Sequence, residues 1–145
     1  MDTTNFTNVL SAIAAGNINF TTHTYKIMLI STNLVQVNID SMVHRSDVIN
    51  EAVGTGYTSG GIALNYLLGS LDTTNKRLPV IWQNIVDGWV AATLNFVGAI
   101  IYRNTGSAAT DLLVQYIDFG GAQSATASNI NISFTTPLYI NSVTP

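Results

Sequence analysis

Two histidines, eight acidic residues and no cysteine are the whole stock from which this chain could build a metal site or a proton-transfer pair. His44 has Asp40, Asp47 and Glu51 close in sequence. That spacing matches no standard ligand motif, and a histidine beside acids is ordinarily a surface feature. Hydrolysis by paired carboxylates would draw on Asp47, Glu51, Asp72, Asp87, Asp111 or Asp118. A glycosidase needs two of these flanking a groove at a set separation, whereas these acids stand at strand ends, where carboxylates commonly cap turns. No Gly-x-Ser-x-Gly elbow and no thiol is present, so the usual acyl-transfer nucleophiles are missing. Asp118-Phe119-Gly120 spells a kinase triplet in a chain far too short for a kinase. The glycine-rich stretch 54–61 lacks the Lys-Ser/Thr pair that clasps a phosphate, and its glycines read as turn residues. The expectation is no catalytic residue, no cofactor and no metal.

Aromatic residues offer a different chemistry. Trp82, Trp89, Tyr57, Tyr66, Tyr102, Tyr116 and Tyr139 could stack on sugar rings, with Asn and Asp side chains binding hydroxyls. The plainer account makes them anchors of a core or an interface, since each is a large apolar body with one polar handle. The plainer account is preferred.

What must position these residues is written in the composition. Charged residues make up 9% of the chain, against about 25% in ordinary soluble domains. In their place stand 15 Asn, 18 Thr and 11 Gly, threaded through 47% hydrophobic residues. Amides and hydroxyls hydrogen-bond at short range and lose little on desolvation when paired, so this surface suits packing against other chains in an assembly. The net charge is −3 and the pI about 4.9. Lys76-Arg77 is the single adjacent basic pair and stands near Asp72, so no phosphate-gripping cluster exists and direct nucleic-acid binding is not expected. No apolar run approaches the length of a membrane span, and the opening residues lack the basic segment of an export signal. Without cysteine the redox compartment is open.

At 145 residues the chain fits one domain, able to bury roughly 68–70% of its extended surface. Phe6, Val9, Leu10 and Ile13 share one helical stripe, with Thr3 or Thr4 as cap and Gly16 as stop, which predicts a helical arm over 1–16. From there the pattern is β. Residues 25–30 read as an interior strand, 33–52 as a connection with one helical turn, and 62–70 as a strand after the glycine turn. A short strand near 78–82 contains Pro79, which argues for an edge. The firmest strand spans 89–102, with Leu94, Phe96, Gly98, Ile100 and Tyr102 on one face and a bend, bulge or close approach at Gly98. A strand over 112–119 is broken by Gly120-Gly121. In the last strand Ile130, Ile132 and Phe134 alternate with Asn129, Asn131 and Ser133, and Pro137 ends it. Residues 138–145 form a C-terminal tail. About six strands with short turns predict a mainly β, antiparallel β-sandwich or partly closed barrel with a short N-terminal helix.

Several stretches, in consistent order over most of the chain, carry a family likeness: Thr24-Tyr25-Lys26-Ile27-Met28-Leu29, the run from Asn50-Glu51 to Gly60-Gly61, Trp89-Val90-Ala91-Ala92-Thr93 on to Ala99-Ile100-Ile101-Tyr102-Arg103, and Tyr116-Ile117-Asp118-Phe119-Gly120-Gly121. The chain resembles small virion structural proteins of tailed bacteriophages. It departs from them at Leu64-Asn65-Tyr66, where such proteins often carry a more charged strand, and in its low overall charge. The resemblance implies a non-enzymatic particle protein, assembled in the bacterial cytoplasm, that is oligomeric and bound to the major capsid protein or other virion proteins as a decoration or cementing subunit. The alternatives are a tail or neck adaptor and, in a different class, a carbohydrate-binding module. Candidate interface residues are Phe6, Val9, Leu10 and Ile13 on the arm, Trp82 and Trp89, Asn131 and Ser133 on the amide–hydroxyl face, and Leu138 and Tyr139 in the tail.

Overall fold

The computed structural model describes residues 1–141. In chain order its elements are β1 (Asp2–Asn5), α1 (Asn8–Ala14), β2 (Tyr25–Ile30), α2 (Gln36–Ser41), a 3-10 turn (Arg45–Asp47), β3 (Ile62–Leu64), β4 (Tyr66–Leu68), β5 (Arg77–Trp82), β6 (Ile85–Arg103), β7 (Leu113–Ile132) and β8 (Leu138–Asn141). They form a five-stranded sheet in the order β1-β7-β6-β2-β3 and a three-stranded sheet in the order β4-β5-β8. Every pairing between strands is antiparallel. The fold is thus mainly β, with two antiparallel sheets, little helix and no closed barrel.

Residues 25–30 are apolar at nearly every position because β2 is covered on both faces. Ile27 and Leu29 join Val80 and Trp82 of the small sheet, Ala99 and Ile101 of β6, and Val9 and Ala12 of α1 in one core. Met28 and Ile30 face the other way, with Phe6, Ile39 of α2, Ile100, Tyr102 and Leu113. The connection 33–52, with its helical turns, is the lid on that second core.

Several expectations are corrected. The arm over 1–16 is not one helix: residues 2–5 pair with β7 as β1, from Asp2 opposite Asp118 to Asn5 opposite Gln115. The helix starts only at Asn8, so its buried side comprises Val9 and Ala12, while Leu10 is 72% exposed. The strand expected over 62–70 divides at Asn65, whose carbonyl accepts from the Gln83 N–H (2.9 Å), and its halves enter different sheets. Pro79 lies on the central strand of the small sheet rather than an edge. It is tolerated there because β4 ends at Leu68: the Pro79 carbonyl accepts from Gly69 N–H, and its ring rests where a side chain on Gly69 would be, 2.6 Å from that Cβ position.

Gly98 does mark a bulge, with a shift in β6–β7 register between Phe96 and Gly98. A Cβ there would stand 2.5 Å from the Ile117 carbonyl oxygen. The shift exchanges faces, so Leu94 and Phe96 share a core with Ala99 and Ile101, not with Ile100 and Tyr102. Gly120-Gly121 likewise lies inside a bulge, and β7 continues through it to Ile132 rather than to Pro137. Residues 138–141, expected as part of a tail, form β8, with Leu138 only 2% exposed. Residues 142–145 lie outside the described part.

Candidate functional site

The groups with chemical potential are taken up by the scaffold. Asp111, in the turn joining β6 to β7, has a fully buried side chain held by Arg45 Nε (2.8 Å), the Thr105 N–H (2.6 Å) and Thr105 Oγ1 (2.7 Å). Burial alone would raise its pKa, but these donors outweigh it and hold the carboxyl below the ordinary value. The Arg45 guanidinium also lies over the Tyr102 ring, 5.2 Å from its centroid. Glu51 ties down the glycine loop: it accepts from Tyr57 Oη (2.8 Å), Ser59 Oγ (3.2 Å) and Gly60 N–H. Tyr57 Oη in turn accepts from Leu29 N–H (3.0 Å), which fixes the loop to β2. Gly61 (φ +72°) closes that loop so near β2 that a Cβ would collide with the Ile27 carbonyl.

His23, Asp47 and Asp72 each hold a local turn. Asp47 accepts from the Val43 and His44 N–H groups (both 2.9 Å), which lowers its pKa and closes the 3-10 turn. Burial and the Arg103 charge lower the pKa of His23, whose Nδ1 accepts from the Asn19 N–H (3.2 Å). Asp72 is held near a pKa of about 2 by the Asn75 backbone and side chain and by Arg77, in a surface turn. Among the described residues no three His, Asp or Glu groups come together as a metal site.

Of the aromatic platform, Trp82, Trp89, Tyr102 and Tyr116 are interior, while Tyr57, Tyr66 and Tyr139 are half-buried. Trp82 and Trp89 are each 2% exposed. Trp82 packs edge-on against Phe20, Tyr25 and Tyr66, and its Nε1 donates to Gln115 Oε1 (3.1 Å). Trp89 stacks on Tyr57. Of the other candidate interface residues, Phe6, Val9 and Leu138 belong to the chain's own core, Ile13 and Tyr139 are half-buried, and Leu10, Asn131 and Ser133 are exposed. Phe6, Val9, Trp82, Trp89 and Leu138 were expected outside and lie inside because a core stripe and a docking stripe have the same spacing in sequence.

Two surfaces remain. The first is the outer half of the β6–β7 ribbon, residues 85–97 against 119–132. Its inner face carries Trp89, Ala92, Leu94, Phe96, Ala125, Ile130 and Ile132, all buried. Its outer face is the amide–hydroxyl surface read from the sequence, and here those side chains hold the backbone together. Asp87, Ala91 and Ala127 adopt φ near +50° (52°, 49° and 45°) at shifts of register. The N–H of each is satisfied across the ribbon: Asp87 by Asn131 Oδ1 (2.6 Å), Ala91 by Asn129 Oδ1 (3.0 Å) and Ala127 by Thr93 Oγ1 (2.9 Å). Asparagine and threonine are there because each bulge frees a donor that needs a short polar acceptor.

The second surface is the outer face of the small sheet. Leu67 stands opposite Ile81, and Pro79 opposite Tyr139, on the side away from Val80, Trp82 and Leu138. Leu67 is 60% and Ile81 39% exposed. Arg77 covers the Tyr139 ring at 3.8 Å, while Leu78 and Ile140, which pair with each other on the side of Val80 and Leu138, line a separate groove of about 480 Å³ with Leu71, Asp72, Lys76 and Arg77. This sheet is apolar on both faces, a pattern that sequence reading missed because β4 and β5 are too short for their alternation to stand out. No family model, curated protein or solved structure matches this chain.

Proposed function

We propose that this chain is a non-enzymatic structural subunit of a tailed-bacteriophage particle, a decoration or cementing protein that binds the major capsid protein non-covalently. The observation that carries the reading is the small sheet, apolar on its outer as well as its inner face. Sheets of that kind are ordinarily covered on both sides, and apolar patches left on a surface mark contacts. The likeness of the ordered sequence stretches to phage virion proteins supplies the setting and names the capsid protein as the cover. The ribbon, charged only at Asp87, adds a further surface rich in amides and hydroxyls. A carbohydrate-binding role loses the two residues it leaned on, since Trp82 and Trp89 are interior.

Cryo-electron microscopy of the source particle with this protein labelled tests the reading. Label repeated over the shell is the expected result; label at one vertex or the tail moves the protein to the adaptor class, and unlabelled particles overturn the virion assignment. Leu67→Glu with Ile81→Glu tests the surface: incorporation is lost while the circular dichroism spectrum is kept, and undiminished incorporation removes the small sheet from the contact.

A further inference from the structure

The outer half of the β6–β7 ribbon has an edge as well as a face. β1 pairs with β7 only over residues 115–118, and beyond Asp118 the sole strand partner of β7 among the described residues is β6. The opposite side of residues 119–132 is therefore a row of alternating N–H and C=O groups with no backbone partner. Natural edges of this length are ordinarily guarded by lysine, other charges or proline. Residues 119–132 contain no Lys, Arg, Asp, Glu or Pro.

We propose that this edge pairs antiparallel with the same edge of a second copy, about a two-fold axis at the Thr126–Ala127 bulge. Three observations select a second copy as the occupant. Self-pairing sets every residue against its own kind of surface, so any charge on the segment would meet a like charge near the axis; this segment has none. The bulge gives β7 a local twist: the β6 pairing advances two residues from Leu94 to Ala92 while β7 advances three, from Ala125 to Ser128. A straight foreign strand would lose register there, whereas a copy brings the same bulge to the same point. With the axis on the bulge, the pleat also agrees on both sides. Ala125, on the buried face, meets Ser128, which stands opposite buried Ala92, and Ser124 meets Asn129, both on the outer face. The additional N–H at the bulge, that of Ala127, is already held by Thr93 Oγ1 and leaves the edge unobstructed.

Sedimentation equilibrium of the full chain over a wide concentration range is the test, with Thr126 as the handle because it is exposed and keeps the Thr93–Ala127 contact when changed. The wild type is expected to dimerise. Thr126→Lys places two ammonium groups at the axis and weakens the dimer by about tenfold or more, as does Thr126→Glu, and an equimolar mixture of the two variants regains a dimer. Melting curves like the wild type show that each variant is folded. A wild type monomeric at every concentration overturns the proposal, and so does a Thr126→Lys dimer as tight as wild type, which would place the contact elsewhere. The dimer is independent of the virion reading: label absent from particles with the dimer intact removes only the latter.

Discussion

The two halves of the β6–β7 ribbon are built from one pair of strands by opposite means. In the inner half, residues 98–103 against 113–118, β2 and β1 flank the pair and side chains fill a core on each face. Ile100, Ile101, Leu113 and Ile117 are fully buried, and the closed end is pinned by Asp111 and Arg45. In the outer half the ribbon has one buried face, a free edge and successive bulges, and its backbone is stitched by Asn129, Asn131 and Thr93. Apolar packing specifies the first half, and side chain-to-backbone hydrogen bonds shape the second.

That contrast can be broken in a graded way. Gly98→Val drives a side chain into the Ile117 carbonyl at the junction of the halves, and is expected to cost more than about 4 kcal/mol, read as failure to fold or a collapsed denaturation midpoint. Arg45→Met strands the buried Asp111 carboxylate and should cost about 3–5 kcal/mol in urea unfolding. The same carboxylate gives the closed end an acid sensitivity. Its folded pKa is depressed, so its contribution is complete above the unfolded value near 4 and is lost as pH falls through the lower folded value. Melting temperature should drop below about pH 4, and Asp111→Asn should flatten that part of the profile. In the outer half Asn131→Ala removes one acceptor from a bulge N–H, for about 0.5–1.5 kcal/mol, with hydrogen exchange rising at Asp87 and not at Ile101. Smallest of all, Val90→Thr on the exposed face should change stability by no more than about 0.5 kcal/mol; a larger loss would mean that this face is covered by a partner.

Sequence patterning revealed what depends on near neighbours. The period-two alternation of Ile130 and Ile132 with Asn129 and Asn131 predicted one buried and one exposed face, and the continuous apolar run at 25–30 predicted burial on both sides; both are found. Bulges defeated the same reasoning at Gly98, where face assignments beyond Phe96 inverted, and at Gly120, where a break was expected and the strand continued. A glycine that ends a strand and one that kinks it carry the same letter; only the partner strand tells them apart. The docking residues failed for a related reason, as Phe6, Val9, Trp82, Trp89 and Leu138 were apolar enough to be needed at home.

By itself, the sequence determined that this protein is mainly β and sparsely charged, because composition and short-range alternation are properties of the chain alone. Tertiary structure decided which apolar residues are core and which are left outside, that Asn65 divides one run between two sheets, and that β7 keeps an unpaired, uncharged edge. Those outcomes depend on long-range pairing and on one-residue shifts of register, each of which turns every following side chain to the opposite face.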